Sequence, residues 1–385
     1  MTPRLLDPLL KKMATWFPVV SVTGPRQSGK STLVKSAFSD YEYVNLENPQ
    51  MRREATNDPV GFIRNRQSRL IIDEAQYVPD LFSMIQVVSD ERNEPGQYVI
   101  SGSQNFLMLK NIKQSLAGRV GITKLLPFSY SEAMKTKISP NVDEFMLRGG
   151  FPRPYDNGMP LDVFFSSYID TYIERDVADY LDVRNVAVFR KFLGLCALNA
   201  GSLINYTHFA NELDVSVPTV KGWLSILESS YITFPLMPFH YNARKRLTKT
   251  PKIYFYDTGL LCYLLKINSV QELLLSPVLG NVFENLIVAE TSKRYFNQGK
   301  NPELYFYRDD SDIEVDLLDF TDSSQPDLVE IKSGQTYHDR FAKQVRKIAG
   351  DLDVSQDHQW VVSRVESSYT SNGVNVCTAK DWLLR

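Results

Sequence analysis

The chain has 385 residues, a formal net charge of -2, 43% hydrophobic and 23% charged residues. That length exceeds one ordinary core and predicts two or three domains, with a composition typical of globular proteins. The near-neutral charge excludes a chain that is basic throughout, so any contact with nucleic acid has to come from a local patch. From Lys252 onward, 14 Lys and Arg face 20 Asp and Glu, so the C-terminal part is the acidic one. No apolar stretch approaches the ~18 residues of a membrane helix. Met1 to Lys12 lacks the apolar core of a signal peptide. Cys196, Cys262 and Cys377 lie far apart and form no metal-type pair. The expectation is a cytoplasmic protein without membrane contact.

Between Val19 and about Phe128, short apolar runs alternate with helical segments. Strands are predicted at Val19–Thr23, Tyr43–Leu46, Leu70–Ile72, Tyr98–Ser101 and Thr123–Leu126. Strand–helix alternation of this kind predicts an α/β fold with a parallel sheet covered on both faces. From Ser129 to about Leu203 the pattern is helical and amphipathic, with Tyr168, Tyr172, Val177 and Leu181 as examples. Tyr206 to about Tyr241 reads as a helix-turn-helix. The turn is Val215-Ser216-Val217, and a second helix follows over Pro218–Glu228. Ile232–Phe239 and the basic residues Arg244, Lys245, Arg246, Lys249 and Lys252 follow as a wing would. A helix over Val278–Phe296 then opens an αβββαβ series. Its strands are Leu304–Tyr307, Ile313–Leu318 and Asp327–Lys332, then a helix His338–Ala349 and a strand Trp360–Ser363. The predicted domains are a parallel-sheet α/β core over 1–130, a helical lid or connector over 131–203, a winged helix-turn-helix over 204–250 and a final α/β unit over 251–385.

Residues 24–31, Gly24-Pro25-Arg26-Gln27-Ser28-Gly29-Lys30-Ser31, fit G-x-x-x-x-G-K-[ST] at every position. They follow an apolar strand and open a helix starting near Thr32, the context the motif requires. Its glycines let consecutive backbone N–H groups curl around phosphate oxygens, and the helix N-terminus adds a positive dipole end. Gly24 through Thr32 are therefore the predicted nucleotide-binding residues. Lys30 is expected at the β and γ phosphates and Ser31 on magnesium. Leu70-Ile71-Ile72 delivers Asp73 and Glu74 at a strand end, the Walker B arrangement. There Asp73 serves the magnesium shell and Glu74 activates the attacking water. Ser103 ends another strand and reads either as a γ-phosphate sensor or as an ordinary helix N-cap. Arg119 reads either as an arginine finger for a neighbouring subunit or as a surface arginine.

The segments GPRQSGKST, LIIDEAQ, SGSQNF, SLAGR, GGFPRPY and PKIYFYDTGLL together resemble one family. It is the prokaryotic AAA-type ATPases with a C-terminal domain of unknown function related to PD-(D/E)xK nucleases. The resemblance covers nearly the whole chain. It implies an ASCE-type core with Glu74 as catalytic glutamate, Ser103 in the sensor position and Arg119 in the finger position. It also implies a lid arginine at Arg153, with Arg148 competing for that role.

In the C-terminal unit, Asp316 lies on one predicted strand and Glu330-Ile331-Lys332 on the next. Strand alternation places Glu330 and Lys332 on one face, and a hairpin brings Asp316 beside them. This is the D…E-x-K constellation of PD-(D/E)xK nucleases, with Glu284 on the preceding helix completing the set and Gln344 a weaker addition. Glu284, Asp316 and Glu330 are the expected metal ligands, and Lys332 the group that stabilises phosphate charge. Against cleavage stands the acidic run Asp309–Asp322, which repels a phosphate backbone.

These readings predict an ATPase with ATP and Mg2+ as cofactors, coupled to a metal-dependent nuclease-like domain acting on DNA or RNA. The active form is expected to be a homo-oligomer with ATP at subunit interfaces. The alternative is a nucleotide-controlled switch, or a DNA-binding regulator, whose nuclease-like domain binds without cutting.

Overall fold

A computed structural model describes residues 2–103, 108, 111–112, 114–172, 186–240, 250–309, 313–323 and 325–385. The predicted features at Gln104, Val177, Leu181, Arg244, Lys245, Arg246, Lys249, Asp310 and Asp312 lie outside the described residues. The chain divides into two units. The first comprises Met1–Pro127, Ser229–Tyr231 and Phe296–Gly299, and the second comprises Phe128–Glu228, Ile232–Tyr295 and Lys300–Arg385.

The first unit is built on five strands, β1 (Val19–Thr23), β2 (Glu42–Asn45), β3 (Leu70–Asp73), β4 (Tyr98–Gly102) and β5 (Val120–Lys124). They pair in the order β2-β3-β4-β1-β5, and every pairing is parallel. Because successive side chains in a strand point to opposite faces, each apolar run supplies two cores. Val19, Leu70, Ile72 and Ile100 pack on one face with Phe82 and Ile85 of the helix Asp80–Arg92. Val20, Val22, Ile71 and Val99 pack on the other with Leu33 and Val34 of the helix Lys30–Ala37. Each fully buried aliphatic side chain contributes ~1.5–3 kcal/mol relative to exposure. The predicted parallel sheet is therefore present, with β1 at its predicted bounds and the other strands displaced at one or both ends by up to three residues. The largest displacement is at β5, which starts at Val120 rather than Thr123. Register sets that start: Val19 lies opposite Val120 in the parallel ladder.

The second unit opens with helices. Phe189 and Phe192 of the helix Val186–Leu198 pack against Trp223 of the helix Val217–Ser229, with ring centroids 5.5 and 5.3 Å apart. Tyr206–Leu213 and Val217–Ser229 form the predicted helix pair, with Lys221, Gly222 and Ser225 exposed. The ammonium of Lys221 lies over the Tyr206 ring, 5.2 Å from its centroid.

Eight strands then form one sheet: β6 (Thr233–Pro238), β7 (Lys252–Phe255), β8 (Leu304–Arg308), β9 (Glu314–Asp319), β10 (Asp327–Lys332), β11 (Gln359–Ser363), β12 (Tyr369–Ser371) and β13 (Val374–Thr378). Their order is β12-β13-β11-β10-β9-β8-β6-β7. The helix Leu279–Asn297 precedes β8, and Lys343–Leu352 lies between β10 and β11, giving the predicted αβββαβ order. The β6–β7 hairpin stands where a wing is expected, but β6 also pairs in parallel with β8, Met237 opposite Tyr305. Both edges of β6 therefore have ladder partners, and the hairpin belongs to the C-terminal sheet rather than to a separate wing. Asp257, just after β7, ties two distant segments together. Its carboxylate accepts from Gly150 N–H at 2.7 Å and from Leu260 N–H at 2.9 Å, joining the GGFP and YDTGLL stretches. Among the described residues no helix is long and apolar enough to cross a membrane, and all three cysteines are buried and free.

Candidate functional site

The loop between β1 and the helix Lys30–Ala37 is shaped by its glycines. A Cβ on Gly24 would stand 2.1 Å from the Leu125 carbonyl oxygen, so only glycine fits there. Gly29 is the helix N-cap at φ 92°, a left-handed conformation that any side chain would strain. Lys30, at 5% exposure, donates from Nζ to the carbonyl oxygens of Gly24 at 3.0 Å and Pro25 at 2.8 Å. The ammonium is thus held over the loop whose N–H groups are the predicted phosphate cradle. Arg4 braces the loop from outside, donating to Ser28 O at 2.7 Å and Leu126 O at 2.6 Å.

Asp73 and Glu74 are neighbours in sequence with carboxylates held by different partners. Asp73 is 1% exposed. Its Oδ2 accepts from the Tyr43 hydroxyl at 2.7 Å, and its Oδ1 from Ser101 Oγ at 2.5 Å. Ser31 lies near enough to the same Tyr43 hydroxyl to lower its pKa, so Tyr43 stands beside both expected members of a magnesium shell. Burial and the Asp73 bond raise the Tyr43 pKa well above the usual phenol value, so the hydroxyl stays protonated and donating. The Lys35 ammonium lies 3.7 Å from the centroid of the same ring. Glu74 sits in the left-handed region at φ 55°, and its carboxylate has partners of its own. Glu74 Oε2 accepts from Gln76 Nε2 at 2.5 Å and from Ser103 Oγ at 3.2 Å. The buried Gln76 amide leaves no room beside β4: a Cβ on Gly102 would lie 2.2 Å from Gln76 Oε1.

The oxygen donors present suit magnesium, a hard cation that takes a few protein oxygens together with phosphate oxygens and waters. Ser31 and Asp73 are the side chains that would hold it. Three residues of this arrangement, Tyr43, Ser101 and Gln76, were not anticipated from the sequence. The only local signal was Gln76 in the LIIDEAQ stretch; Tyr43 and Ser101 sit on neighbouring strands, where pairing rather than sequence distance brings them to Asp73.

Arg119 forms a two-pronged ion pair with Asp90 of the same chain. Its Nε lies 2.5 Å from Oδ1 and its Nη2 2.9 Å from Oδ2, and the side chain is one-third exposed. The hydrogen bond from Arg119 lowers the Asp90 pKa, and Asp90 in turn raises that of the guanidinium, so both stay charged. In the second unit, Arg153 lies on the helix Pro152–Asn157, and Arg148 stacks its guanidinium 5.6 Å from the centroid of the Tyr155 ring.

The C-terminal carboxylates are also brought together. β9 and β10 are antiparallel with Leu328 opposite Leu318 and Val329 opposite Leu317. Continuing that register sets Glu330 opposite Asp316. Asp316 Oδ2 accepts from Ile331 N–H at 2.8 Å. Lys332 Nζ lies 2.6 Å from Glu330 Oε1 and 3.6 Å from Asp316 Oδ2. Glu284, on the helix Leu279–Asn297, joins from another direction. Its Oε1 accepts from the Tyr254 hydroxyl at 2.5 Å and from Lys252 Nζ at 3.2 Å. Lys252 Nζ also lies 2.6 Å from Glu314 Oε1. Burial first, then the Asp316 charge, raises the pKa of both Glu284 and Glu330. Burial opposes the Lys252 charge, but Glu284, Asp316 and Glu314 outweigh it and raise its pKa.

Two expectations change here. Lys252, counted with the basic wing, is 3% exposed and buried among carboxylates, so it offers no charge to a phosphate backbone. A buried ammonium persists only where it is paired, and Glu284 and Glu314 supply the pairing. Second, among the described residues no three His, Cys, Asp or Glu side chains form a group able to hold a metal ion. Glu284, Asp316 and Glu330 are neighbours, and one oxygen of each faces a lysine, with a tyrosine hydroxyl or a backbone N–H added on Glu284 and Asp316, while Glu330 Oε2 has no hydrogen-bond partner. Gln344 lies half-buried on the helix Lys343–Leu352.

Three known families match consecutive parts of the chain: "AAA domain" over 17–134, "Domain of unknown function (DUF8612)" over 139–271 and "Domain of unknown function (DUF4143)" over 279–382. The uncharacterized protein Rv2008c of Mycobacterium tuberculosis is 32% identical over 346 residues, covering 88% of this chain and 75% of that protein. The uncharacterized protein MJ1544 of Methanocaldococcus jannaschii is 23% identical over 393 residues, covering 94% of this chain and 84% of that one. Among solved structures, the Walker-type ATPase PABY2304 of Pyrococcus abyssi aligns with a TM-score of 0.42 at 14% identity, covering 69% of this chain and 96% of that one. RuvB of Thermotoga maritima aligns with a TM-score of 0.29 at 16% identity, covering 59% and 86%. The chain belongs to the family of the mycobacterial protein Rv2008c, with an AAA-type P-loop ATPase domain at its N-terminal end followed by two domains of unknown function.

Proposed function

We propose that this protein binds ATP with magnesium at Gly24–Thr32, hydrolyses it, and uses the nucleotide state as a switch on its C-terminal domains. The observation that carries the reading is the separation of Asp73 from Glu74. Adjacent carboxylates are aimed apart by different partners, Tyr43 and Ser101 for one, Gln76 and Ser103 for the other. Such a pair suits two jobs, one carboxylate for the metal shell and one for the water.

Magnesium bound with ATP supplies charge neutralisation between the β and γ phosphates. Lys30 exchanges its two loop carbonyls for phosphate oxygens. Ser31 and Asp73 orient toward the metal shell, with Tyr43 fixing both. Glu74 accepts the proton of the attacking water once its bond to Ser103 or Gln76 is released, and Ser103 then donates to the γ phosphate. Arg119 serves a neighbouring subunit as the finger after leaving Asp90, so the active form is a homo-oligomer with ATP between subunits. Arg153 contributes as the lid residue that senses nucleotide. Phosphate release measured on purified protein tests this. Lys30→Ala should abolish nucleotide binding, and Glu74→Gln should trap bound ATP. Normal turnover by Glu74→Gln would defeat the assignment of the water-activating carboxylate.

For the C-terminal domain, the reading is binding without cutting, because its carboxylates are engaged by lysines. The second reading, a metal-dependent nuclease acting on DNA or RNA, is favoured by the closeness of Asp316, Glu330 and Lys332. A panel of single-stranded, duplex and branched DNA and RNA with magnesium or manganese separates them. Cleavage that is lost in Asp316→Ala would establish the nuclease.

A further inference from the structure

A buried cation already pairs with two members of the C-terminal carboxylate group. Lys252 Nζ lies 3.2 Å from Glu284 Oε1 and 2.6 Å from Glu314 Oε1, with the side chain 4% exposed. The second cation, Lys332, is 2.6 Å from Glu330 and 3.6 Å from Asp316. Arg308 Nη1 stands 3.6 Å from Glu314 Oε2. Neutral donors reinforce the same oxygens, Tyr254 on Glu284 Oε1 beside Lys252 and the Ile331 N–H on Asp316 Oδ2 beside Lys332. Glu330 Oε2 is buried without a hydrogen-bond partner.

The charge count follows from those contacts. Four carboxylates, Glu284, Glu314, Asp316 and Glu330, face three cations, Lys252, Lys332 and Arg308. Even with all four ionised, one negative charge is left over against the two positive charges of a divalent ion. The ion would also have to approach a buried ammonium of the same sign, and at such separations in a protein the repulsion is large.

We propose that Lys252 is the built-in counter-cation of this carboxylate group, that it stands in place of a divalent metal, and that the group therefore holds β7, β9, β10 and the helix Leu279–Asn297 together instead of performing metal chemistry. This rests on the non-cutting reading of the C-terminal domain given above. It makes Lys252 the residue that separates a nuclease-like carboxylate set from a metal site. Replacing it by a neutral side chain of similar length leaves two uncompensated charges, matched to one divalent cation.

The test is Mn2+ binding by the full-length, nucleotide-free chain, followed by electron paramagnetic resonance, in wild type, Asp316→Asn, Lys252→Met and the double variant. Wild type and Asp316→Asn are expected to bind the same number of Mn2+ ions. Lys252→Met should gain one site, about a hundredfold or more tighter than any wild-type binding there, since one like charge has been removed. The added site should vanish in the double variant. A wild-type Mn2+ site lost in Asp316→Asn would overturn both this proposal and the non-cutting reading. A folded Lys252→Met that gains nothing would overturn the role of Lys252 alone, leaving the non-cutting reading in place. If Lys252→Met does not fold, Lys252→Gln, whose amide can still donate to Glu284, takes its place with the same two outcomes.

Discussion

Removing the Tyr43 hydroxyl probes the nucleotide site at a residue that touches neither phosphate nor water. In Tyr43→Phe the ring, its packing and the Lys35 contact remain, but Asp73 loses its 2.7 Å donor. Asp73 Oδ1 keeps Ser101 and the Glu74 N–H, so the carboxylate stays buried but freer to rotate. A hydrogen bond to a charged, buried group contributes about 1.5–3 kcal/mol. If all of it serves to orient Asp73 in the transition state, kcat/KM for ATP hydrolysis falls by roughly 10- to 150-fold. The loss should concentrate in the metal requirement. The magnesium concentration for half-maximal rate should rise, while affinity for ATP measured without metal should stay as in wild type. Steady-state phosphate release across a magnesium series, with fluorescent-nucleotide binding beside it, reads both quantities. Unchanged kcat/KM with an unchanged magnesium dependence would refute the idea that Tyr43 positions Asp73. Reduced metal-free ATP affinity would point instead to a disturbed loop.

The ion pair of Arg119 with Asp90 gives a second expectation. Arg119→Ala should keep ATP affinity and lose hydrolysis if the residue is a finger, whereas Asp90→Ala, which frees the guanidinium, should not lower turnover; loss of affinity alone in Arg119→Ala would count against it. Gly24→Ala forces a Cβ to within 2.1 Å of the Leu125 carbonyl oxygen. Backbone cannot yield cheaply there, so we expect a loss of about 2 kcal/mol or more in urea unfolding, and an unchanged midpoint would refute the close approach. Ser103→Ala removes one donor to Glu74 and should leave ATP binding intact while lowering turnover, read by single-turnover phosphate release; unchanged turnover would leave Ser103 as a cap or packing residue only.

Much of the first domain was legible because its signals are local. A phosphate cradle is one turn of consecutive residues, so Gly24 to Ser31 can be read as a string, and the two-faced burial of a parallel strand is written as an uninterrupted apolar run such as Leu70-Ile71-Ile72. The αβββαβ order of the C-terminal unit was legible for the same reason, through changes of period. The β6–β7 hairpin was not. Its sequence fits a wing, and only the pairing of Met237 with Tyr305, 68 residues apart by number (305 − 237), assigns it to the larger sheet.

The sites divide in the same way. Sequence alone determined which residues carry the right chemistry: a phosphate loop, two carboxylates at the end of a buried strand, and an Asp with a Glu-x-Lys on adjoining strands. Tertiary structure decided what those groups face. Strand order sets Tyr43 of β2 and Ser101 of β4 on either side of Asp73. Packing of β7 under the helix Leu279–Asn297 turns Lys252 from an apparent surface charge into the partner of Glu284 and Glu314. A sequence lists a lysine's charge but not its surroundings, and it is desolvation together with the nearest opposite charge, both properties of the folded chain, that decide whether an ammonium meets phosphate or fills the place of a metal.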